Sequence, residues 1–246
     1  MNSHARVKRR AAVGAVMVAL AVAARAEEKK MDEAWRPLFN GHDLTGWKMA
    51  GPGEFKIEDG HLVTHGGMGL LWHTGAPLGD CEIKVVYKTD RPNDNSGVFI
   101  RIDGPPKDPW FAVHHGYEVQ IDDSGDDAHR TGSLYSLTSV KAKVAAEPGG
   151  YRTLLIRLEG DNTKVWLNET LLTDYTEGDP VPERTKPYEP ERGKRPAAGY
   201  IGLQNHDDAS RVRFKEVSVR PLENDSRPPY PSHRSHRSHE SFTVKA

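Results

Sequence analysis

Apolar and polar residues alternate in short runs along most of the chain between Pro37 and Leu222, and Gly, Pro, Asn and Asp separate the runs. A period of two residues indicates β-strands, and hardly any stretch keeps the helical period for ten residues. We predict strands at 55–57, 62–64, 82–89, 96–102, 117–122, 152–159, 164–167, 198–203 and 211–220. This pattern predicts an all-β domain in which two antiparallel sheets pack face to face as a jelly-roll sandwich.

Two turns and three longer segments divide the predicted strands. Asp59-Gly60 is typical of a type I′ hairpin, and Asp161-Asn162 is predicted to close a second hairpin. The segments 103–115, 123–130 and 176–197 are long for connections within a sandwich. Long loops of this kind usually form functional rims, so we expect them to border a binding site.

The two ends of the chain differ from the middle. Residues 1–26 have the three parts of a signal peptide: basic residues, the apolar run 11–24, and Ala24-Arg25-Ala26. An uncleaved anchor is the alternative, which the shortness of the apolar run disfavours. We therefore expect a periplasmic or secreted protein whose domain spans 27–222 and which has no membrane span after cleavage. The Ser-His-Arg triplets of 223–246 predict a disordered tail.

The net charge limits the classes of binding partner, and the cysteine content excludes an intramolecular disulfide. Five of the 34 Lys and Arg residues lie within 1–26, which leaves 29 basic against 35 acidic residues in the mature chain and disfavours nucleic acid. Cys81 is the only cysteine, so no intramolecular disulfide forms, and we expect it to be a small buried residue. The sequence also lacks the nucleophile elbow, zinc-peptidase and P-loop motifs.

The predicted strand 117–122 carries three polar side chains on one face, those of Glu118, Gln120 and Asp122. A row of polar groups suits the lining of a wet groove better than an interior. An ordinary solvated outer face is the alternative.

Alternation on the strand 96–102 places Phe99 and Arg101 on a common side. The ring could pack on the C–H groups of a sugar, and the guanidinium could donate to its hydroxyls. Alternatively, Arg101 pairs with Glu118 or Asp122 and only holds the sheet together.

A third cluster follows the predicted strand 198–203 and contains Asn205, His206, Asp207 and Asp208. The imidazole of His206 could act as an acid or a base. The two aspartates could bind a hard divalent cation such as Ca²⁺, although a plain polar turn explains them nearly as well.

Five motifs of the chain resemble, in order, those of the 3-keto-disaccharide hydrolase family: LFNGHDLTGW at 38–47, NSGVFIR at 95–101, GYEVQI at 116–121, TGSLY at 131–135 and GYIGLQNH at 199–206. The resemblance implies a concanavalin A-like lectin/glucanase fold and an exported enzyme that acts on glycosides oxidised at C3. The family's motif residues correspond here to Arg101, Glu118, Gln120 and His206. The chain departs from the family at Asp207, where a glycine commonly stands.

Spacing along the strand bears on the mechanism. The Cβ atoms of Glu118 and Asp122 should lie ~13 Å apart and those of Glu118 and Gln120 ~6.6 Å apart, so no pair fits the two carboxyls of an ordinary glycosidase. A 3-ketone acidifies the hydrogen at C2, so one base suffices for elimination and water then adds to the enone. We expect Glu118 or His206 to be the base, with Arg101 or a bound cation at the enolate.

We expect five residues to bind substrate: Phe99, Arg101, Gln120, Asp122 and Asn205. A carbohydrate is the expected partner, and the sequence does not identify a cofactor beyond the candidate divalent cation. A lectin-like module without catalysis and a conventional endoglucanase are the alternative functions.

Overall fold

The computed structural model describes residues 35–222, so the predicted signal peptide and tail lie outside the described residues. Within this range the chain forms thirteen strands and one helix: β1 (Arg36–Pro37), β2 (Trp47–Ala50), β3 (Glu54–Glu58), β4 (His61–His65), β5 (Gly69–His73), β6 (Cys81–Thr89), β7 (Ser96–Ile102), α1 (Pro109–His115), β8 (Tyr117–Ile121), β9 (Arg152–Glu159), β10 (Asn162–Leu167), β11 (Thr170–Thr176), β12 (Tyr200–Asn205) and β13 (Val212–Pro221).

The strands form two antiparallel sheets, which confirms the predicted sandwich. The larger sheet has the order β11-β10-β9-β6-β13-β4-β3, with β1 paired to β13. The smaller sheet has the order β2-β5-β12-β7-β8. No helix of residues 35–222 combines the length and the apolar character that a membrane span requires.

The main core lies between the two sheets. Alternate residues of β9, such as Leu154 and Ile156, meet Val119 and Leu203 of the smaller sheet in one buried cluster. Cys81 belongs to this cluster, as predicted, and burial raises the pKa of its thiol to about 12. Because the interior takes the odd-numbered residues of β8, the even-numbered residues face outward.

A second apolar cluster lies on the outer face of the smaller sheet. Phe99 and Ile102 of β7 pack there against Ala112 and Val113 of α1. The sequence analysis missed this helix, which lies within the insertion 103–115, and it also missed β1, β2, β5 and β11. Helix α1 therefore covers part of a sheet face that would otherwise be exposed to solvent.

The two predicted hairpins differ in outcome. Asp59 and Gly60 both have positive φ, at 49° and 76°, as the type I′ turn between β3 and β4 requires. The second turn was placed one residue too late: Asn162 already pairs with Glu159, so Gly160 and Asp161 form the turn. Gly160 supplies the positive φ of 54° that this turn needs.

A β-bulge interrupts β7 near its end. Phe99 pairs with Gly202 and Ile102 pairs with Tyr200, so two residues of β7 oppose one residue of β12. Arg101 lies in this bulge with a φ of 51°. The bulge shifts the alternation of β7 by one residue. As a result Ile100 faces the main core, while Ile102 faces the outer cluster.

Candidate active site

A cleft of about 280 Å³ opens on the outer face of the smaller sheet. Strands β8 and β12 provide its buried floor, and the connecting segments provide its exposed mouth. The lining residues are Met68, Asn95, Trp110, Val113, Glu118, Gln120, Tyr135, Tyr188, Gln204 and His206. Of the residues singled out from the sequence, Glu118, Gln120 and His206 meet in this cleft.

Glu118 is the only carboxylate among the described residues that line the cleft. Its Oε1 atom is buried and has no hydrogen-bond partner within residues 35–222. Burial raises the pKa of Glu118 from 4.5 to about 8, against a smaller lowering by the side-chain amide of Gln204. The carboxyl group is therefore mostly protonated at neutral pH and can donate a proton.

Two glutamines flank Glu118 on the floor. Gln120 lies two residues along β8, and Gln204 lies on β12 across the intervening β7. Their Oε1 atoms are buried without partners in the described part of the chain, as is Oδ1 of Asn95. Buried amide groups normally have hydrogen-bond partners, so the floor is suited to a ligand with several hydroxyl groups.

His206 lies at the mouth, next to the end of β12, and forms a pair with Asp207. Its Nδ1 atom is 2.8 Å from Oδ2 of Asp207, so Nδ1 donates and the neutral ring keeps the lone pair of Nε2 available. Oδ1 of Asp207 accepts from the backbone amides of Ala209 and Ser210, at 2.8 and 2.7 Å. Although burial acts to raise it, these hydrogen bonds lower the pKa of Asp207 below its usual value.

Arg101 does not reach the cleft. The bulge turns its side chain to the opposite face of the smaller sheet, where its guanidinium donates to the carbonyls of Gly160, Asn162, Pro196 and Ala197. The side chain is fully buried. The geometry therefore gives Arg101 a role in holding two loops and contradicts both the expected sugar contact and the alternative pairing with Glu118 or Asp122.

Three further expected substrate ligands also lie away from the cleft lining. Phe99 is buried in the outer apolar cluster, beneath the helix. The amide of Asn205 donates to the carbonyls of Glu54, His65 and Gly66, since Asn205 faces the other side of β12 from Gln204. Oδ1 of Asp122 accepts from the amide and hydroxyl of Ser124 in a turn after β8.

The sequence analysis missed three aromatic residues of the cleft: Trp110, Tyr135 and Tyr188. None lies on a strand: Trp110 is on helix α1, and Tyr135 and Tyr188 are on irregular segments, with Trp110 and Tyr188 inside the insertions that we predicted to be rims. Tyr135 lies beside Glu118 because its amide donates to the Glu118 carbonyl at 2.9 Å. The signal for Trp110 and Tyr188 was an aromatic residue inside a long polar insertion, and the signal for Tyr135 was its place in the motif TGSLY.

A metal centre built from acidic, histidine or cysteine side chains is not present within residues 35–222, where no group of three or more of them comes together. Asp207 uses its carboxylate oxygens for His206 and for nearby backbone amides. The cation that the Asp207-Asp208 pair suggested therefore has no preformed set of ligands at that turn.

The family model of the 3-keto-α-glucoside-1,2-lyase-like domain matches residues 34–220. The chain belongs to this family. The match confirms the resemblance read from the five motifs, and it places the lyase-like domain among carbohydrate-active domains. A comparison with curated proteins gives no match.

Solved structures share the fold of the lyase-like domain. A candidate glycosyl hydrolase from Parabacteroides distasonis is 24% identical, with a TM-score of 0.65 over 80% of this chain and 97% of that chain. A protein with a galectin-like fold from Bacillus subtilis has 12% identity and a TM-score of 0.56, covering 76% and 94%. The lumenal domain of VIP36, bound to Ca²⁺ and Man3GlcNAc, has 14% identity and a TM-score of 0.51, covering 80% and 91%. These similarities confirm a lectin-like sandwich.

Proposed function

We propose that the protein cleaves 3-keto-glycosides, including 3-keto-disaccharides, by removing the proton at C2 and eliminating the C1 substituent, after which water adds to the enone. One observation carries this proposal: the cleft combines a buried, mostly protonated carboxyl group with a histidine whose Nε2 lone pair is free. This is one acid and one base of different chemical type. A 1,2-elimination requires both.

His206 is the base in this mechanism. Its Nδ1–H is held by Asp207, so Nε2 takes the proton from C2 of the substrate. The electron pair of the C2–H bond forms a C2–C3 double bond, and the π pair of the ketone moves onto its oxygen to give an enolate. When the C1 substituent leaves, collapse of this enolate moves the C2–C3 pair into a C1–C2 double bond and removes the charge from the oxygen at C3. With Arg101 on the other face of the sheet, the amide N–H groups of Gln120 and Gln204 are the donors for that oxygen.

Glu118 is the acid. The bond between C1 and the glycosidic oxygen breaks with its electron pair on that oxygen, and the proton of Glu118 converts it to a hydroxyl. The products of this step are the free alcohol and a 2-hydroxy enone. In the second step water adds its oxygen at C1 and its proton at C2, which restores the 3-keto sugar.

An ordinary glucanase mechanism is less compatible with the cleft. It needs two carboxyl groups ~5.5 Å apart, or ~6.5 to 9.5 Å apart for inversion, and Glu118 is alone among the described lining residues. The 3-ketone removes this requirement because it acidifies C2. The lone carboxyl group therefore supports a 3-keto-glycoside as the class of substrate.

The test compares 3-keto-trehalose and 3-keto-lactose with their unoxidised parents. We expect turnover only of the oxidised sugars, and in heavy water we expect deuterium at C2 beyond that of an enzyme-free control. Glu118→Gln and His206→Ala should each lower turnover ~10²- to 10⁴-fold while the sugar still binds. Equal cleavage of the unoxidised sugars without deuterium at C2 would instead identify a glucanase, and binding without turnover would identify a lectin.

We also propose that the protein is exported to the periplasm or secreted, because residues 1–26 have the parts of a signal peptide. Intact-mass analysis of the protein from a periplasmic extract should give a chain that begins at Glu27. A cytosolic protein that keeps residues 1–26 would contradict this.

A further inference from the structure

The cleft has two parts of different chemistry. Its floor is buried and polar, with Glu118, Gln120 and Gln204 each less than a tenth exposed. Its mouth carries Trp110 and Tyr188, which are 47% and 49% exposed. These are two of the three large apolar side chains that are exposed in the described part of the chain. Exposed apolar side chains that cluster in this way mark a binding surface.

Trp110 is held in place by its own helix. The side chain of Asp108 accepts from the amide of Phe111 and caps α1, while Ala112 and Val113 anchor the helix in the outer apolar cluster. The Trp110 ring stacks on His114, one turn later, with centroids 6.3 Å apart and planes 22° apart. This offset contact holds the indole nearly parallel to the imidazole and leaves much of the ring open to solvent.

Tyr188 lies on a loop that hydrogen bonds and an ion pair stabilise. The carboxylate of Glu189 accepts from the amide and hydroxyl of Thr185, and it pairs with Arg192. Arg192 also donates to the carbonyl of Ser136, next to Tyr135 of the cleft. The loop is therefore fixed to the wall of the cleft while its aromatic side chain stays open to solvent.

We infer that Trp110 and Tyr188 form the subsite for the leaving group, and that this subsite selects leaving groups that present an apolar ring face. This inference rests on the proposed function, which places the oxidised sugar on the polar floor. The cleft of about 280 Å³ lies near the lower limit of small-ligand sites. It holds one sugar unit at the floor, so the group attached at C1 extends to the aromatic mouth.

The chemistry of the mouth determines the class of ligand. A pyranose ring and a cyclic aglycone both offer C–H groups to an aromatic face. A methyl group offers almost no such surface. The subsite should therefore favour a ring of either kind over a small alkyl group, with little dependence on hydroxyl groups.

The experiment measures kcat/KM for the 3-keto forms of methyl α-glucoside, cyclohexyl α-glucoside and trehalose. Methyl and cyclohexyl are both alkyl leaving groups, so their comparison isolates the contact with the ring. We expect both ring-bearing substrates to exceed the methyl glycoside roughly fivefold to tenfold, as ring packing implies. Trp110→Ala and Tyr188→Ala should each reduce this ratio, and Tyr151→Ala is the matched control, since Tyr151 is an exposed aromatic residue outside the cleft lining.

Two outcomes would overturn the inference. One is a cyclohexyl glycoside no better than the methyl glycoside, even if trehalose is preferred, because recognition would then depend on hydroxyl groups. The other is an unchanged ratio in both cleft variants. If no 3-keto glycoside is turned over at all, the proposed function fails, and calorimetric binding of unoxidised cyclohexyl and methyl α-glucosides still tests the subsite: tighter binding of the ring ligand that Trp110→Ala abolishes supports it, and equal binding overturns it.

Discussion

Gly97 lies directly beneath the carboxyl group of Glu118: a Cβ atom on Gly97 would stand 2.3 Å from Oε1 and 2.7 Å from Cγ of the glutamate. Gly97 pairs with Gln120 on β8, and Glu118 is the next outward-facing residue of that strand. Because Gly97 has no side chain, the carboxyl group of Glu118 can occupy the space above it. Gly97 is not one of the residues that line the cleft, so we expect it to act by positioning Glu118.

Gly97→Ala should remove activity while the fold survives. Its φ lies outside the left-handed region, so alanine fits the backbone, but the added methyl group must displace the Glu118 carboxyl group. We expect kcat/KM to fall about 100-fold, because small displacements of a catalytic group have effects of that size. Gly67→Ala is the control, since a Cβ there would meet nothing within 4 Å. Full activity in Gly97→Ala would remove Glu118 from the mechanism.

Glu118 should make stability depend on pH. The pKa of Glu118 is about 8 in the folded protein, where the group is buried, and 4.5 without burial. Between these two pH values the folded state therefore keeps a proton that the unfolded state has lost. The stabilisation is complete below pH 4.5 and is lost as the pH rises to about 8. Thermal melts at pH 5 and pH 9 should show Glu118→Gln gaining several degrees relative to the wild type only at the higher pH. Glu183→Gln, at an exposed glutamate, should show no such gain.

Asp207 should matter for rate more than for binding. Asn in its place can offer an N–H to Nδ1 of His206, which would move the ring proton to Nε2 and remove the base. We expect Asp207→Asn to lower kcat at least ~10-fold with a small change in KM, and ¹⁵N spectra of His206 should show the change of tautomer. The neighbouring Asp208→Asn should do neither. An unchanged tautomer and rate would show that Asp207 only shapes the turn.

Arg101 should affect stability and leave substrate affinity unchanged. Its guanidinium donates to four backbone carbonyls of two loops, and a lysine cannot reproduce that fork. Loss of buried hydrogen bonds to a charged group costs about 1.5–3 kcal/mol, which corresponds to several degrees in Tm for a domain of this size. Arg101→Lys should therefore melt earlier with KM within about twofold. A large rise in KM at full stability would return Arg101 to the substrate site.

Prediction from the sequence succeeded where strands are regular. The alternation along β8 placed Glu118 and Gln120 together because that strand has no irregularity, and its apolar partners fill the core. It failed at Arg101, because the bulge shifts the period by one residue. A sign of the bulge was present in Gly199: a Cβ there would lie 2.4 Å from the Arg101 carbonyl carbon, so only glycine allows this approach.

Other parts of the site had no periodic signal. Trp110 reaches the cleft through a seven-residue helix, and Tyr188 reaches it on a loop that Arg192 joins to the Ser136 carbonyl. Such contacts depend on tertiary packing, which a reading of local pattern does not include. For the same reason the pattern on β7 indicates an exposed ring at Phe99, whereas α1 covers it.

The division of the cleft between strands and insertions has a consequence for divergence. The floor residues are buried on strands that the whole sandwich holds in register, so a change of size there disturbs both the chemistry and the packing. Trp110 and Tyr188 are exposed side chains on segments outside the two sheets, so they can be exchanged with less disturbance of the fold than the floor residues. Proteins with this floor can thus acquire new leaving-group preferences by changes at these two positions alone, and exchanging the residues at Trp110 and Tyr188 between relatives is a direct route to altered selectivity.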